Sequence, residues 1–205
     1  HEEAAIAAAR AAYVAGFSST SNLAAGRRYG IPTSGTSAHA FTLVHDSEDS
    51  AFASQVASQG TQTTLLIDTY DTEEGAARAV AAAGPQLGAV RLDSGDLAEH
   101  ARRVRALLDG MGATETRIVA TSDLDEFQIQ GLATAPVDGY GVGTRVVTGS
   151  GAPTAEMVYK LVARSDDADP GSPLRPVWKT SEAKATVGGR KAAYRQLAGG
   201  TAVRE

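Results

Sequence analysis

The sequence predicts an α/β fold in which parallel strands alternate with crossover helices, closing into a partial β/α barrel or a doubly wound sheet, followed by a short C-terminal appendage. Three observations predict it. Short apolar runs recur at starts 31, 64, 89, 117 and 139, about 22 to 33 residues apart, which is the length of a β-α unit. Helical periodicity fills the gaps between them. Each run ends on a carboxylate, an arginine, a histidine or a glycine pair, as the reactive rim of a barrel does.

The elements follow in order. Residues Glu2 to Phe17 are alanine-rich, with Ile6, Tyr13, Val14 and Phe17 on one helical face and Gly16 as a stop. A second helix over Ser21–Tyr29 closes at Gly30 and Pro32. Strands are expected at Ile31–Thr36, Thr64–Asp68, Ala89–Leu92, Arg117–Ala120 and Gly139–Val142. Helices are expected at Ser47–Gln59, Thr72–Ala83, Asp96–Gly110 and Leu124–Gly131. Such alternation calls for a parallel sheet. After Lys160 the pattern changes: Arg164–Pro176 is rich in Asp, Pro, Gly and Ser and reads as a loop, and Val177–Glu205 is a basic, glycine-broken tail. The expected division is a core over 1–163 and an appendage over 164–205.

Composition narrows the classes. With 205 residues, 42 % hydrophobic and 21 % charged, the chain is long enough for one substantial core. No apolar run approaches the roughly 18 residues of a membrane span, and the start, His1-Glu2-Glu3, lacks a signal peptide's basic residues. Cysteine is absent, which removes disulfides and thiolate metal sites. These features favour the cytoplasm. The net charge is −5, and apart from Arg27-Arg28 and Arg102, Arg103 and Arg105 the basic residues are scattered, which argues against nucleic acid.

The strand ends carry the candidate chemistry. The first expected strand leads to Thr36 and His39, the second to Asp68-Thr69-Tyr70-Asp71, the third to Arg91-Leu92-Asp93-Ser94-Gly95-Asp96, the fourth to Thr121-Ser122-Asp123 and the fifth to Gly141-Val142-Gly143-Thr144. Bland roles compete with reactive ones. Read alone, His39 fits a helix-start or core histidine better than a reactive one. Asp71, ahead of Thr72-Glu73-Glu74, reads as a helix cap, and one of Asp93, Ser94 and Asp96 is expected to cap the next helix. Asp68 fits a cap or a site equally. Gly141 and Gly143 suit either a tight turn or a loop of N–H groups facing a phosphate. Arg91 is harder to explain blandly, because an arginine at a strand end needs an anionic partner.

Together, several segments carry a specific resemblance. Ala15-Gly16-Phe17 with Thr20-Ser21-Asn22, Ile31 through His39, Leu65 through Asp71, Val90 through Leu97, Gly139 through Thr144, and Pro176-Val177-Trp178-Lys179 with Gly188-Gly189-Arg190-Lys191 resemble the nicotinate phosphoribosyltransferases of the type II phosphoribosyltransferase family. The resemblance implies a β/α barrel that joins nicotinate to the anomeric carbon of phosphoribosyl pyrophosphate in NAD biosynthesis, with coupled ATP hydrolysis, Mg²⁺ and a homodimer with shared active sites. It implies that ATP phosphorylates His39. Arg91 would meet the nicotinate carboxylate or a phosphate, and Asp93 and Asp123 would hold ribose hydroxyls or Mg²⁺. Thr36, Asp68, Ser94 and Ser122 would be polar substrate contacts, and Gly141, Gly143 and Thr144 would cradle the 5′-phosphate. Nicotinamide-using relatives carry an acid where Ser21 stands. A neutral serine suits a carboxylate ligand, which favours nicotinate over nicotinamide.

Family members extend further at the N-terminus, with a small domain, an aromatic residue that stacks on the pyridine ring and an arginine. The chain is therefore expected to lack that part, and an inactive assembly module is an alternative. An aldolase-type barrel would want a lysine at a strand end, and every lysine lies at or after Lys160.

Overall fold

Four parallel strands form where the apolar runs were expected, because each run is short, and the first three are each followed by a helix that opens on an aspartate cap. The computed structural model describes residues 2–149, 151–155, 157–199 and 201–204, the last four by backbone alone; the outer bounds of the two expected divisions, 1 and 205, lie outside them. Strands β1 (Thr64–Leu66), β2 (Ala89–Leu92), β3 (Arg117–Ala120) and β4 (Gly139–Tyr140) lie side by side in chain order. All three pairings are parallel, with Leu65 opposite Val90, Val90 opposite Ile118 and Ala120 opposite Tyr140. The sheet is open among the described residues, with β1 and β4 at its edges.

Among the described residues, five helix starts are marked by a side-chain cap. α1 spans Glu2–Val14 and α2 Leu23–Tyr29, the latter capped by Asn22. α3 spans His39–Val44, and α4 (Glu48–Gln59) opens on a capping box between Ser47 and Ser50. Asp71 accepts from the N–H groups of Glu73 and Glu74 at the start of α5 (Thr72–Ala83), and Asp96 accepts from Glu99 N at the start of α6 (Leu97–Gly110). Of the three acids and serines after β2, Asp96 is therefore the cap. That frees Asp93 and Ser94. α7 (Glu126–Gly131) opens on Asp125, and α8 spans Thr144–Thr148.

The strand's two-residue period divides the sheet into two faces. Leu65, Ile67, Val90, Leu92 and Ile118 point to the face covered by α4, α5 and α6, where Phe52, Ala79, Val80, Val104 and Leu108 complete a buried core. Burying each larger side chain contributes roughly 1.5–3 kcal/mol. Helix α5 approaches β1 closely because Gly75 has no side chain: a Cβ there would lie 2.1 Å from the Ile67 carbonyl oxygen. Thr64, Arg91 and Val119 point the other way, into a cleft.

Two expectations need correction. Residues Ile31–Thr36 do not join the sheet. Pro32 has no N–H to give a ladder, and the segment spends its backbone on Thr20 instead, with Thr20 N donating to Pro32 O at 3.0 Å and Ser34 N to Thr20 O at 3.1 Å. Helix α3, six residues long, went unread because it is too short to show a period. At the two ends of the expected loop Arg164–Pro176, β5 (Ala163–Arg164) and β6 (Arg175–Pro176) pair antiparallel, and in the tail, where short strands or loops are expected, β7 (Gln196–Ala198) and β8 (Thr201–Arg204) also pair antiparallel. Among the described residues no helix is long and apolar enough to cross a membrane.

Candidate functional site

The carboxyl ends of the strands meet around one carboxylate, that of Asp93. Arg91 and Asp93 share a face because they are two residues apart at the end of β2, and Arg91 Nη2 donates to Asp93 Oδ1 at 2.9 Å. Thr121, at the end of β3, donates to the same oxygen at 2.5 Å and accepts from Arg91 Nε at 2.8 Å. Arg91 Nη1 donates to Thr36 Oγ1 at 2.6 Å and to the Ser37 carbonyl at 3.5 Å. A guanidinium has five N–H groups, so these contacts leave one Nη2 donor for a ligand.

His39 stands at the start of α3, on the other side of Asp93. Its Nδ1 lies 3.2 Å from Thr69 Oγ1. Its Nε2 lies 2.8 Å from Lys179 Nζ, 3.6 Å from Asp93 Oδ2 and 3.7 Å from Asp68 Oδ1. An ammonium has only donors, so the contact with Lys179 places a lone pair on Nε2 and the proton on Nδ1, facing Thr69. Lys184 Nζ donates to the Asp93 carbonyl at 2.6 Å and to Ser122 Oγ at 2.8 Å, and sits 3.6 Å from Asp93 Oδ2.

Burial alone would raise the Asp93 pKa. The hydrogen bond from Thr121 and the charges of Arg91 and Lys184 outweigh it and hold the carboxyl well below the usual range. Burial lowers the Lys179 ammonium, against the pull of Asp68 and Asp93. Asp68 is buried beneath this set: its Oδ2 accepts from Asp93 N at 3.0 Å and from the Ser94 hydroxyl, while its Oδ1 has no hydrogen-bond donor.

A cleft of about 710 Å³ opens beside Asp93. Ser21, Thr36, Arg91, Asp93, Ser122, Asp123, Gly141, Gly143 and Thr144 line it, and Ala5, Ala8, Ala12, Phe17, Val146 and Val147 make an apolar wall. Most of the expected site residues thus share one cavity. His39, Asp68 and Ser94 do not line it; they stand behind Asp93. Ser122 and Asp123 hold positive φ of 107° and 52°, a conformation that costs roughly 1–3 kcal/mol per residue and collects at functional sites. Gly141 leaves room for Thr121, whose Cγ2 would lie 2.6 Å from a Cβ. Gly143 precedes α8 as its N-cap.

Of the two acids expected to meet a metal, Asp93 is the less suited, and Asp123 lines the open cleft. Both Asp93 oxygens already face cations or donors, and among the described residues no group of three His, Asp or Glu side chains is spaced to hold an ion. The sequence assigns no role to Lys179, Lys184 or Thr121, although Thr121 stands at the fourth strand end and Lys179 closes the Pro176-Val177-Trp178-Lys179 segment. The two lysines arrive from a distant segment, Lys179 lying 140 residues beyond His39; the only local sign was the run of basic residues after Trp178.

No protein-family profile matches the chain. It is 57 % identical over 204 residues to nicotinate phosphoribosyltransferase pncB1 of Mycobacterium tuberculosis, covering 96 % of this chain and 44 % of that protein. It is 40 % identical over 204 residues to the nicotinate phosphoribosyltransferase of Bacillus subtilis, covering 95 % and 41 %. The chain thus spans less than half the length of these relatives. Among solved structures it resembles the nicotinate-nucleotide pyrophosphorylase of Pyrococcus furiosus, with a TM-score of 0.67, 23 % identity and coverage of 87 % and 56 %. It also resembles the nicotinate phosphoribosyltransferase of Porphyromonas gingivalis, with a TM-score of 0.66, 20 % identity and coverage of 82 % and 47 %. The two structural likenesses speak to the fold.

Proposed function

We propose that this chain supplies the β/α-barrel portion of a nicotinate phosphoribosyltransferase, joining nicotinate to phosphoribosyl pyrophosphate to give nicotinate mononucleotide and pyrophosphate. The observation that carries the reading is the convergence of His39, Arg91, Lys179 and Lys184 on Asp93 at one rim of a parallel sheet. The strong sequence similarity over nearly the whole chain supports it. In this reading the sheet is part of a barrel whose interior face carries Thr64, Arg91 and Val119, residues 164–205 form an appendage that returns to the rim, and the enzyme is a cytoplasmic homodimer.

The pyridine nitrogen attacks the anomeric carbon with its own lone pair as the pyrophosphate oxygen departs, so no general base is needed. Catalysis rests on positioning and on charge. The side chains of Asp93, held ionised by its neighbours, and Asp123 face the ribose and its developing positive charge. Ser122, Thr36 and the free Nη2 donor of Arg91 contact substrate oxygens, and the N–H groups of Gly141, Gly143 and Thr144 receive the 5′-phosphate. Asp68 and Ser94 act through the backbone of Asp93. Ser21, at the cleft wall, accepts a carboxylate-bearing ring without repelling it. Magnesium arrives on substrate phosphates, the usual mode for this ion, and is not held in a protein cage.

ATP enters through His39. The Nε2 lone pair attacks the γ-phosphorus, the bond to the ADP oxygen breaks, and the phosphohistidine forms beside Lys179, whose ammonium offsets the added negative charge. The test incubates the protein with nicotinate, phosphoribosyl pyrophosphate, ATP and Mg²⁺. Nicotinate mononucleotide should form, with acid-labile phosphate on His39. Product that keeps its ATP stimulation in His39→Ala would remove this role, and equal turnover of nicotinamide would remove the role of Ser21.

A further inference from the structure

Both lysines of the site ride on one strap, residues Lys179 to Thr186, that crosses the strand ends. The strap closes on itself: Thr186 N donates to Lys179 O at 2.9 Å and Lys179 N to Thr186 Oγ1 at 3.0 Å. On the β1 side it is pinned by Thr180 N donating to Thr69 O at 3.0 Å and by the Ser181 hydroxyl on Asp68 O. On the α6 side it is met by His100, whose Nε2 lies 3.1 Å from Glu182 Oε2.

The surroundings of that contact are unusual. The His100 side chain is only 14 % exposed, and its Nδ1 is buried without a partner. The ring therefore spends its hydrogen bonding on Glu182. Beneath both lies Gly95, in the turn between Asp93 and α6, with φ +70°; a Cβ there would come 2.5 Å from His100 Nε2 and 3.1 Å from Glu182 Oε2. A side chain at residue 95 would force the His100 ring or the Glu182 carboxylate to shift.

We propose that His100 and Glu182 are positioning residues, a latch that holds the strap against the β2–α6 turn and so fixes Lys179 against His39 and Lys184 against Asp93. Neither touches substrate. The latch acts through the two ammonium groups, whose contacts at 2.8 Å and 2.6 Å leave little slack. Its catalytic consequence rests on the phosphoribosyltransferase reading above, but its physical existence does not.

The test separates the two. Hydrogen exchange is measured at the Thr180 and Lys184 amides, and the ring resonances of His39 are followed by NMR, in the wild type, Glu182→Ala, His100→Leu, their double variant and His100→Gln. Breaking the latch should speed exchange about two- to fivefold, the scale of a partly exposed ion pair, and move the His39 resonances. The double variant should match the single ones, as coupled partners do. His100→Gln, whose amide still donates to Glu182, should stay near the wild type, which a loss of general stability would not explain. Turnover should fall by the same factor in the broken variants. Wild-type exchange rates and His39 resonances in Glu182→Ala overturn the latch. Wild-type protein that makes no nicotinate mononucleotide overturns the functional reading alone, since exchange and resonances still decide the latch.

Discussion

Arg91 Nη2 and Asp93 Oδ1 lie 2.9 Å apart across a single intervening residue, so the strand's own period builds the pair that organises the site. Leu92 between them points into the core, and Thr121 of the next strand bonds both partners. The guanidinium is thereby spent mostly on holding Asp93 and Thr36 in place. One Nη2 donor is left over, so within the chain Arg91 is first of all a support for the carboxylate.

Asp93→Asn tests that dependence. Burial raises the Asp93 pKa, but the hydrogen bond from Thr121 and nearby cations depress it far more. A depressed acid stabilises the fold above its unfolded value and loses that contribution as pH falls. The variant should therefore be less stable than the wild type by about 2–4 kcal/mol at pH 7, because Arg91 and Lys184 lose their counter-charge. The gap should narrow once pH drops below the ordinary value of 3.8. Urea unfolding at pH 7 and pH 3 measures it, and a gap that stays constant contradicts the account.

Gly141→Ala should impair turnover through Thr121. The new methyl would meet Thr121 Cγ2 at 2.6 Å and push the hydroxyl off Arg91 and Asp93, whereas a Cβ at Gly143 meets nothing within 4 Å. We expect a loss of about 10- to 100-fold in kcat for Gly141→Ala, comparable with misplacing a catalytic group. Adding Thr121→Ser, which removes Cγ2 and keeps the hydroxyl, should restore most of it. No rescue in the double variant would mean that Gly141 serves the phosphate by its N–H alone.

The central strands were legible because their physics is local: Thr64–Asp68, Ala89–Leu92 and Arg117–Ala120 are short apolar runs, each between a turn and a helix marked by an acid or serine cap. Asp71 could be read as a cap from its neighbours alone, and it is one. What failed was set at long range. Ile31–Thr36 has strand-like residues, yet Pro32 and the nearby Thr20 decide where its backbone bonds go. Lys179 and Lys184 reach the site by the return of a glycine-broken segment whose path no local pattern encodes. Gathering of His39, Arg91 and Asp93 was expected; the two ammonium groups that complete their surroundings were not.

Glu48 predicts a pH-dependent stability unrelated to the cleft. Its side chain is 2 % exposed, Oε1 lacks a partner, and the nearest cation, Arg78, is 4.0 Å away. Burial raises its pKa from 4.5 to about 7, with Arg78 opposing. A raised carboxyl favours the fold while protonated, so its penalty grows as pH climbs from about 4.5 to 7. Glu48→Gln should match the wild type near pH 4 and exceed it by about 1–3 kcal/mol at pH 8. Chemical denaturation at the two values checks it; a variant less stable at pH 8 sinks the idea.

Gly75→Ala sets two effects of opposite sign against each other. Alanine favours a helix over glycine by about 1 kcal/mol. Here, however, the methyl would come 2.1 Å from the Ile67 carbonyl oxygen and 3.0 Å from its carbon, and backbone cannot rotate away as a side chain can. Overpacking of this kind costs about 1–3 kcal/mol or more, so the net effect should be a loss of about 2 kcal/mol. Gly110→Ala, at the end of α6 with nothing within 4 Å of the new methyl, is the control and should be neutral or stabilising. Activity should suffer beyond stability in Gly75→Ala, since Ile67 precedes Asp68, which orients the Asp93 backbone at 3.0 Å. Unfolding curves and kcat measured on both variants decide it: Gly75→Ala as stable as Gly110→Ala would mean that α5 can move away from β1, and the close approach would not be needed to place Asp68.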